Sequence, residues 1–231
     1  MERRHEITRL EAFSDAVFAF ALTLLVVSLE VPKDIHGLVN NLKGFLPFAL
    51  MFAMICWIWY EHQKFFRSYG LQDAWIISVN SMLLFLILFY VYPLKFLTVG
   101  LIGPLMHMED VPNLEHHANI VMLAYSSGVA LIFSTFALMY QHAWRNRDAM
   151  GLTPAERITL RHGLLGHVYS ALIGVASLAM VFYGSTHDID RMPMFAGLIY
   201  ALMGPVLTMN GFHASRAQNI LRKQQSADAQ R

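Results

Sequence analysis

Arg9 to Val31 reads RLEAFSDAVFAFALTLLVVSLEV, and its two halves make opposite demands. From Ala16 to Leu29 only Thr23 and Ser28 are polar. A helix rises about 1.5 Å per residue, so roughly 20 residues cross the ~30 Å of hydrocarbon in a bilayer, and this run is long enough. It nevertheless opens on Arg9, Glu11, Ser14 and Asp15. A charge held in hydrocarbon costs at least ~2.5 kcal/mol on insertion scales unless it pairs or reaches water. Arg9 and Glu11 stand at the membrane edge, where a charged head reaches water cheaply. Asp15 lies one to two turns deeper, and at about 100° per residue it points to a different face from Arg9. Its partner therefore belongs to another helix.

Apolar helical length recurs along the chain, at Leu10–Val31, Phe45–Tyr60, Ala74–Phe96, Ala118–Tyr140, Gly163–Gly184 and Pro193–Phe212. The second run is short because Glu61, His62 and Lys64 interrupt it, although its helical pattern continues to Phe66. A composition of 56% hydrophobic and 14% charged residues is too apolar for a soluble domain. The predicted fold is an all-α integral membrane protein with six transmembrane helices and both termini cytoplasmic. Residues 1–212 form the membrane domain and 213–231 a short cytoplasmic tail, whose first part is expected to continue the sixth helix and whose end is expected to fray. This orientation puts thirteen Lys and Arg inside and leaves Lys33, Lys43, Lys95 and Arg191 outside, as the positive-inside rule requires. Charges continue from Arg3 and Arg4 to Asp15, which spoils a signal peptide's pattern, so the first helix is expected to be retained.

Other chemistry finds little purchase. Cys56 is the single cysteine, which excludes an intrachain disulfide and a thiolate metal cluster. A formal net charge of +1 argues against nucleic acid as a partner. No HExxH, nucleotide loop or nucleophile–base pair points to an enzyme or a cofactor. His116 and His117 are read as a solvated pair in an outer loop, and His167 as a hydrogen-bonded packing residue. Thr153 to Glu156, TPAE, is a capping box that starts the fifth helix early. Gly166, Ser170 and Gly174 recur every fourth residue, a stripe that admits a neighbouring helix closely.

Partners for Asp15 are available near the same membrane edge. The second span ends with Trp59, Glu61 and His62, and the third carries Asn80 near its start. A network of Ser14, Asp15, Trp59, His62 and Asn80 would fix the first helix in one rotation; the alternative is an interfacial cluster meeting headgroups and water. Further along, Phe13, Phe20, Leu24 and Val27, with Thr23 beside them, share one face. Spacing alone assigns such a stripe to ordinary helix packing more often than to a conduction path.

Arg9, Phe13, Ser14 and Asp15 spell R-x-x-x-F-S-D, which resembles the signature of the transmembrane protein 175 potassium channel family, the endosomal and lysosomal channels of animals and their bacterial relatives. Trp59, His62 and Phe65, then Asn80, Leu83, Leu84 and Pro93, extend the likeness. The resemblance implies a six-helix subunit of a homotetramer in a bacterial inner membrane, conducting potassium without a cofactor, with lipid and monovalent cations as its other partners. It implies that Arg9, Phe13, Ser14 and Asp15 anchor the pore helix with support from Trp59, His62 and Asn80, and that Phe20, Thr23, Leu24 and Val27 line the pore as an apolar gate. Relatives usually carry Ile or Leu where this chain has Phe20. The T-V-G-Y-G filter of ordinary potassium channels is missing, as it is throughout the family. The competing function is a proton-coupled secondary transporter using Asp15 and His62, which would favour inverted repeats and broken helices; neither is visible in the sequence.

Overall fold

The computed structural model describes residues 7–27, 32–109, 111–112, 117–187, 189 and 191–228. Arg3, Arg4, Ser28, Leu29, Val31 and His116, named above, lie outside the described residues. Within them every regular element is helical. Six helices are long and apolar enough to cross a membrane, where backbone amides and carbonyls must be satisfied within the segment itself.

The first span is α1 (Arg9–Val27), followed by the short α2 (Ile35–Lys43), α3 (Phe45–Tyr69), α4 (Ala74–Ile102), α5 (Ala118–Arg145) and α6 (Pro154–Thr186). The last span is compound: α7 (Met192–Leu198), a 3-10 turn (Ile199–Leu202), then α8 (Met203–Asp228). Local chemistry sets the ends. Asp73 caps α4, accepting from the amides of Trp75 and Ile76 at 3.0 and 3.2 Å. Thr153 and Glu156 close the expected capping box on α6. Gly70 ends α3 in the left-handed conformation, φ 59°.

Packing is centred on the antiparallel pair α5 and α6, with α4 against α5 and α8 against α6. The small-residue stripe explains how closely that pair approaches: a Cβ on Gly174 would stand 2.8 Å from the amide nitrogen of Ala130, so only glycine fits. Ser170 is buried in the same face, whereas Gly166 turns towards Asn210 on α8. The helix α1 sits at the side of this bundle and, among the described residues, packs on α3 and α4 alone.

Three features depart from the sequence reading. The second span continues as a helix beyond its apolar run, as its pattern to Phe66 predicts, and ends three residues further on at Tyr69; Glu61 is met one turn on by Lys64 at 3.3 Å and His62 is buried rather than exposed to lipid. The final helix continues past residue 212, as the first part of the tail is expected to, but it stays helical as far as Asp228, so the expected fraying does not begin within the described residues. Third, α2 was not foreseen. Its N-cap Asp34 accepts from the amide of Gly37 at 2.7 Å. Asn40 accepts from the amide of Glu109 at 3.1 Å and Lys43 donates to the carbonyl of His107 at 2.8 Å, which leaves Ile35, Leu38, Val39 and Leu42 exposed along the other side.

Candidate functional site: the first helix and its clamp

Thr8 starts α1. Its amide donates to Glu11 Oε2 at 2.9 Å while the amide of Glu11 donates to Thr8 Oγ1 at 3.2 Å, a reciprocal capping box. The signal, Thr-x-x-Glu before an apolar run, is present in the sequence; the reading above took Glu11 only as an edge charge.

From there the helix divides into two faces. Ser14, Phe18, Ala21 and Leu25, spaced four, three and four residues apart, are all at most 2% exposed and face α3 and α4. The far side carries Phe13, Phe20 and Val27 at 58, 56 and 72% exposure, with Ala16 and Thr23 also exposed between them. Leu24 is half-buried at the border of this strip. The exposed strip is thus centred nearer Thr23 than the spacing of Phe13, Phe20, Leu24 and Val27 suggests. The Thr23 hydroxyl donates to the carbonyl of Ala19 at 2.8 Å, which leaves its oxygen able to accept on the exposed side.

Two hydrogen-bonded groups hold the buried face. In the first, Trp59 Nε1 of α3 donates to Asp15 Oδ1 at 2.8 Å. In the second, Asn80 of α4 stands between α1 and α3: its Nδ2 donates to Ser14 Oγ at 2.9 Å, and its Oδ1 meets His62 Nε2 at 2.8 Å. Ser14 Oγ in turn donates to the carbonyl of Leu10 at 2.8 Å. Directions follow from this order. An Asn80 amide that gives its N–H to Ser14 must accept at Oδ1, so the proton lies on His62 Nε2. His62, Asn80 and Ser14 are each no more than 1% exposed. The His62 ring is held by Phe66 at 4.7 Å and Phe18 at 5.4 Å between centroids, and its buried Nδ1 has no hydrogen-bond partner.

All five network residues therefore come together, as two clamps rather than one. Arg9 and Phe13 do not join them. Both are exposed, so the R-x-x-x-F-S-D stretch is two-faced: Ser14 and Asp15 turn to the bundle and Arg9 and Phe13 away from it. His167, expected to be hydrogen-bonded, is buried against aromatic rings, with Glu61 Oε2 4.0 Å from its Nε2. His117 is the residue before α5. Among the described residues no cluster of three or more His, Cys, Asp or Glu can hold a metal ion.

These geometric features sit in a segment that comparison also singles out. The family described as "Endosomal/lysosomal potassium channel TMEM175" matches residues 9–102, which span α1 to α4 and contain both clamps. A potassium channel of Marivirga tractuosa is 33% identical over 230 residues, covering 95% of this chain and 92% of the relative. The chain belongs to the TMEM175 potassium channel family. Among solved structures, a variant of the TMEM175 potassium channel MtTMEM175, bound to a nanobody fusion, superposes with a TM-score of 0.81 at 32% identity, covering 94% of this chain and 97% of that one. A TMEM175 homologue from Chamaesiphon minutus shares the fold, with a TM-score of 0.54 at 22% identity over 84% of this chain and 96% of that one. TMEM175 membership and six apolar helices make this an integral, multi-pass membrane protein of a channel family, not an enzyme family.

Proposed function

We propose that this protein is a potassium-permeable cation channel that works as a homotetramer, with α1 of each copy lining a central path. One observation carries the reading: α1 is fixed by polar clamps on one face and leaves Phe20, Thr23 and Val27 uncovered on the other. A helix serving only to fill a bundle gains nothing from a polar anchor that holds large apolar side chains outward. Four such helices around an axis would turn Phe20, Thr23 and Val27 inward, with Leu24 at the seam between neighbours. Narrow apolar rings of this kind stop ions by dewetting, and conduct once widened enough for a partly hydrated ion. The Thr23 oxygens supply polar contacts for potassium, whose hydration is weaker than sodium's. The Lys and Arg distribution supports cytoplasmic termini, and the bacterial relatives support an inner-membrane location.

Anchoring, rather than proton relay, suits Asp15 and His62. They bind different partners, Trp59 and Asn80, and form no chain with one another. The deciding experiment is flux from proteoliposomes under separate potassium, sodium and proton gradients. Potassium flux that follows its own gradient, faster than sodium's and independent of the proton gradient, is expected. Potassium movement strictly coupled to protons would overturn the channel reading.

A further inference from the structure

A second site lies away from α1. Helices α3 and α8 do not pack on one another, and between them, floored by α5 and α6, is a cavity of about 410 Å³, within the range of roughly 300–1,000 Å³ typical of ligand pockets. Its α6–α8 wall is internally satisfied: His162 Nδ1 and Asn210 Oδ1 meet at 2.8 Å, and Asn210 Nδ2 donates to the carbonyl of His162 at 2.7 Å. His167 is not. Only 6% exposed, it is stacked on Phe136 at 4.9 Å with Tyr140 at 4.8 Å. Its Nε2 faces Glu61 across 4.0 Å, too far for a hydrogen bond. Glu61 in turn meets Lys64 at 3.3 Å. The cavity thus offers one carboxylate, one ammonium and one buried imidazole beside aromatic walls.

Its polarity is graded along the helices. Lys64, Thr159 and Gln218 line the end nearer the chain termini, and Trp57, Phe133 and Leu207 the end nearer mid-membrane. That is the grading of a phospholipid, head outward and chains inward. A purely anionic head would meet the Glu61 carboxylate, and a purely cationic one would meet Lys64; a head carrying both charges satisfies both. An ammonium has three N–H donors, enough to bridge Glu61 and His167 Nε2 while resting on the aromatic faces.

We propose that the α3–α8 cleft binds a zwitterionic amine–phosphate lipid headgroup of the phosphatidylethanolamine type, with its ammonium between Glu61 and His167, its phosphate on Lys64 and its acyl chains leaving past Trp57 and Leu207. This site is independent of whether α1 lines a pore. The test uses the detergent-purified assembly and measures its melting temperature against dioctanoyl phosphatidylethanolamine, dioctanoyl phosphatidylglycerol and free O-phosphoethanolamine. A saturable rise with phosphatidylethanolamine is expected, with phosphatidylglycerol at least tenfold weaker. Glu61→Gln should weaken the response at least tenfold. Gly211→Leu should do the same, because Gly211 lines the cleft and a Cβ there meets no atom within 4 Å, so the larger side chain fills the site without disturbing the fold. Equal responses to the two lipids, or a parental response in Gly211→Leu, would overturn the site. A full response to O-phosphoethanolamine alone would overturn a lipid as its occupant.

Discussion

Replacing Asn80 by Leu tests the clamp where it is most concentrated. The substitution keeps the number and branching of side-chain heavy atoms in a position that is 0% exposed and removes both of the amide's contacts, to Ser14 at 2.9 Å and His62 at 2.8 Å. Hydrogen bonds between membrane helices average roughly 0.6 kcal/mol, with a ceiling near ~1.7. The orphaned His62 Nε2–H adds its own desolvation penalty of about 1–3 kcal/mol. The loss should be about 2–6 kcal/mol from these two terms. Ser14→Ala removes the hydroxyl's bonds to Asn80 and to the Leu10 carbonyl, leaves His62 paired and orphans Asn80 Nδ2; the interhelical bond at roughly 0.6–1.7 kcal/mol and the orphaned N–H at roughly 1–3 kcal/mol give a cost of about 2–5 kcal/mol. The double variant should cost less than the sum of the singles by at least the roughly 0.6–1.7 kcal/mol of the Ser14–Asn80 bond, since that bond can be lost only once. Equilibrium unfolding of the purified protein in mixed detergent micelles measures all three, and flux from proteoliposomes reports whether open probability falls while the ratio of potassium to sodium flux is kept. A double-variant cost equal to the sum of the singles would refute the Ser14–Asn80 bond as an energetic link. A cost for Asn80→Leu within about 0.5 kcal/mol, the scatter of surface changes, would remove the clamp altogether.

Trp59→Phe keeps the ring but loses the donor to Asp15; a hydrogen bond to a charged group is worth roughly 1.5–3 kcal/mol, and a fall of that size in unfolding free energy, with unchanged ion preference, is expected. Phe20→Ala should raise potassium leak through proteoliposomes; flux equal to the parent's would take Phe20 out of the path. Thr23→Ala should reduce potassium-over-sodium discrimination in bi-ionic flux measurements while total flux persists, and an unaltered ratio would show that its oxygen makes no contact with the ion. Asp73 gives a pH dependence. Slight burial pushes its carboxyl up, but the Ile76 amide, His142 at 2.9 Å and the Trp75 amide outweigh that and hold it below its ordinary 3.8. A depressed folded value means that the stabilisation is complete above the unfolded value and is lost as pH falls through the folded one. The melting-temperature gap between the parent and Asp73→Ala should therefore be widest well above pH 3.8 and narrow in stronger acid; a gap that widens with acidification would contradict the sign.

The spans were legible because hydrocarbon imposes a length and a composition that any helix crossing it must meet. The need for a partner at Asp15 was legible for a related reason: a carboxylate below the membrane edge must be answered, and of the polar groups near that height Trp59 answers it while Asn80, backed by His62, holds Ser14 instead. What escaped the sequence was chemistry shorter than a span or dependent on rotation. The nine residues of α2 carry an apolar stripe at Ile35, Leu38, Val39 and Leu42, but they are too few to register as a span. Glu61 ended the apolar run of the second span at Tyr60 because apolar length cannot anticipate an ion pair with Lys64, and helical pattern carried the reading only to Phe66, three residues short of the end of α3. Leu24 was placed on the exposed strip because spacing fixes which residues share a face and not how the face is turned; burial of Ser14, Phe18, Ala21 and Leu25 turns it towards Thr23.

That rotation is the quantity the polar groups control. In water an amphipathic helix orients itself by burying its apolar side, but a helix apolar all round gains nothing in lipid by facing one way rather than another. Between Ala16 and Val27 the side chains alone leave α1 nearly free to turn, since Phe18, Leu25, Phe20 and Val27 differ little in their liking for hydrocarbon. Ser14 and Asp15 are adjacent, about 100° apart around the helix, and each is held by a different neighbour, Asn80 on α4 and Trp59 on α3. Two attachments to two helices at different angles fix rotation where a single one would leave a hinge. The charged start of the first span thus specifies which of its otherwise interchangeable faces is left uncovered, and it does so from one end, without placing a charged group among Phe20, Thr23, Leu24 and Val27.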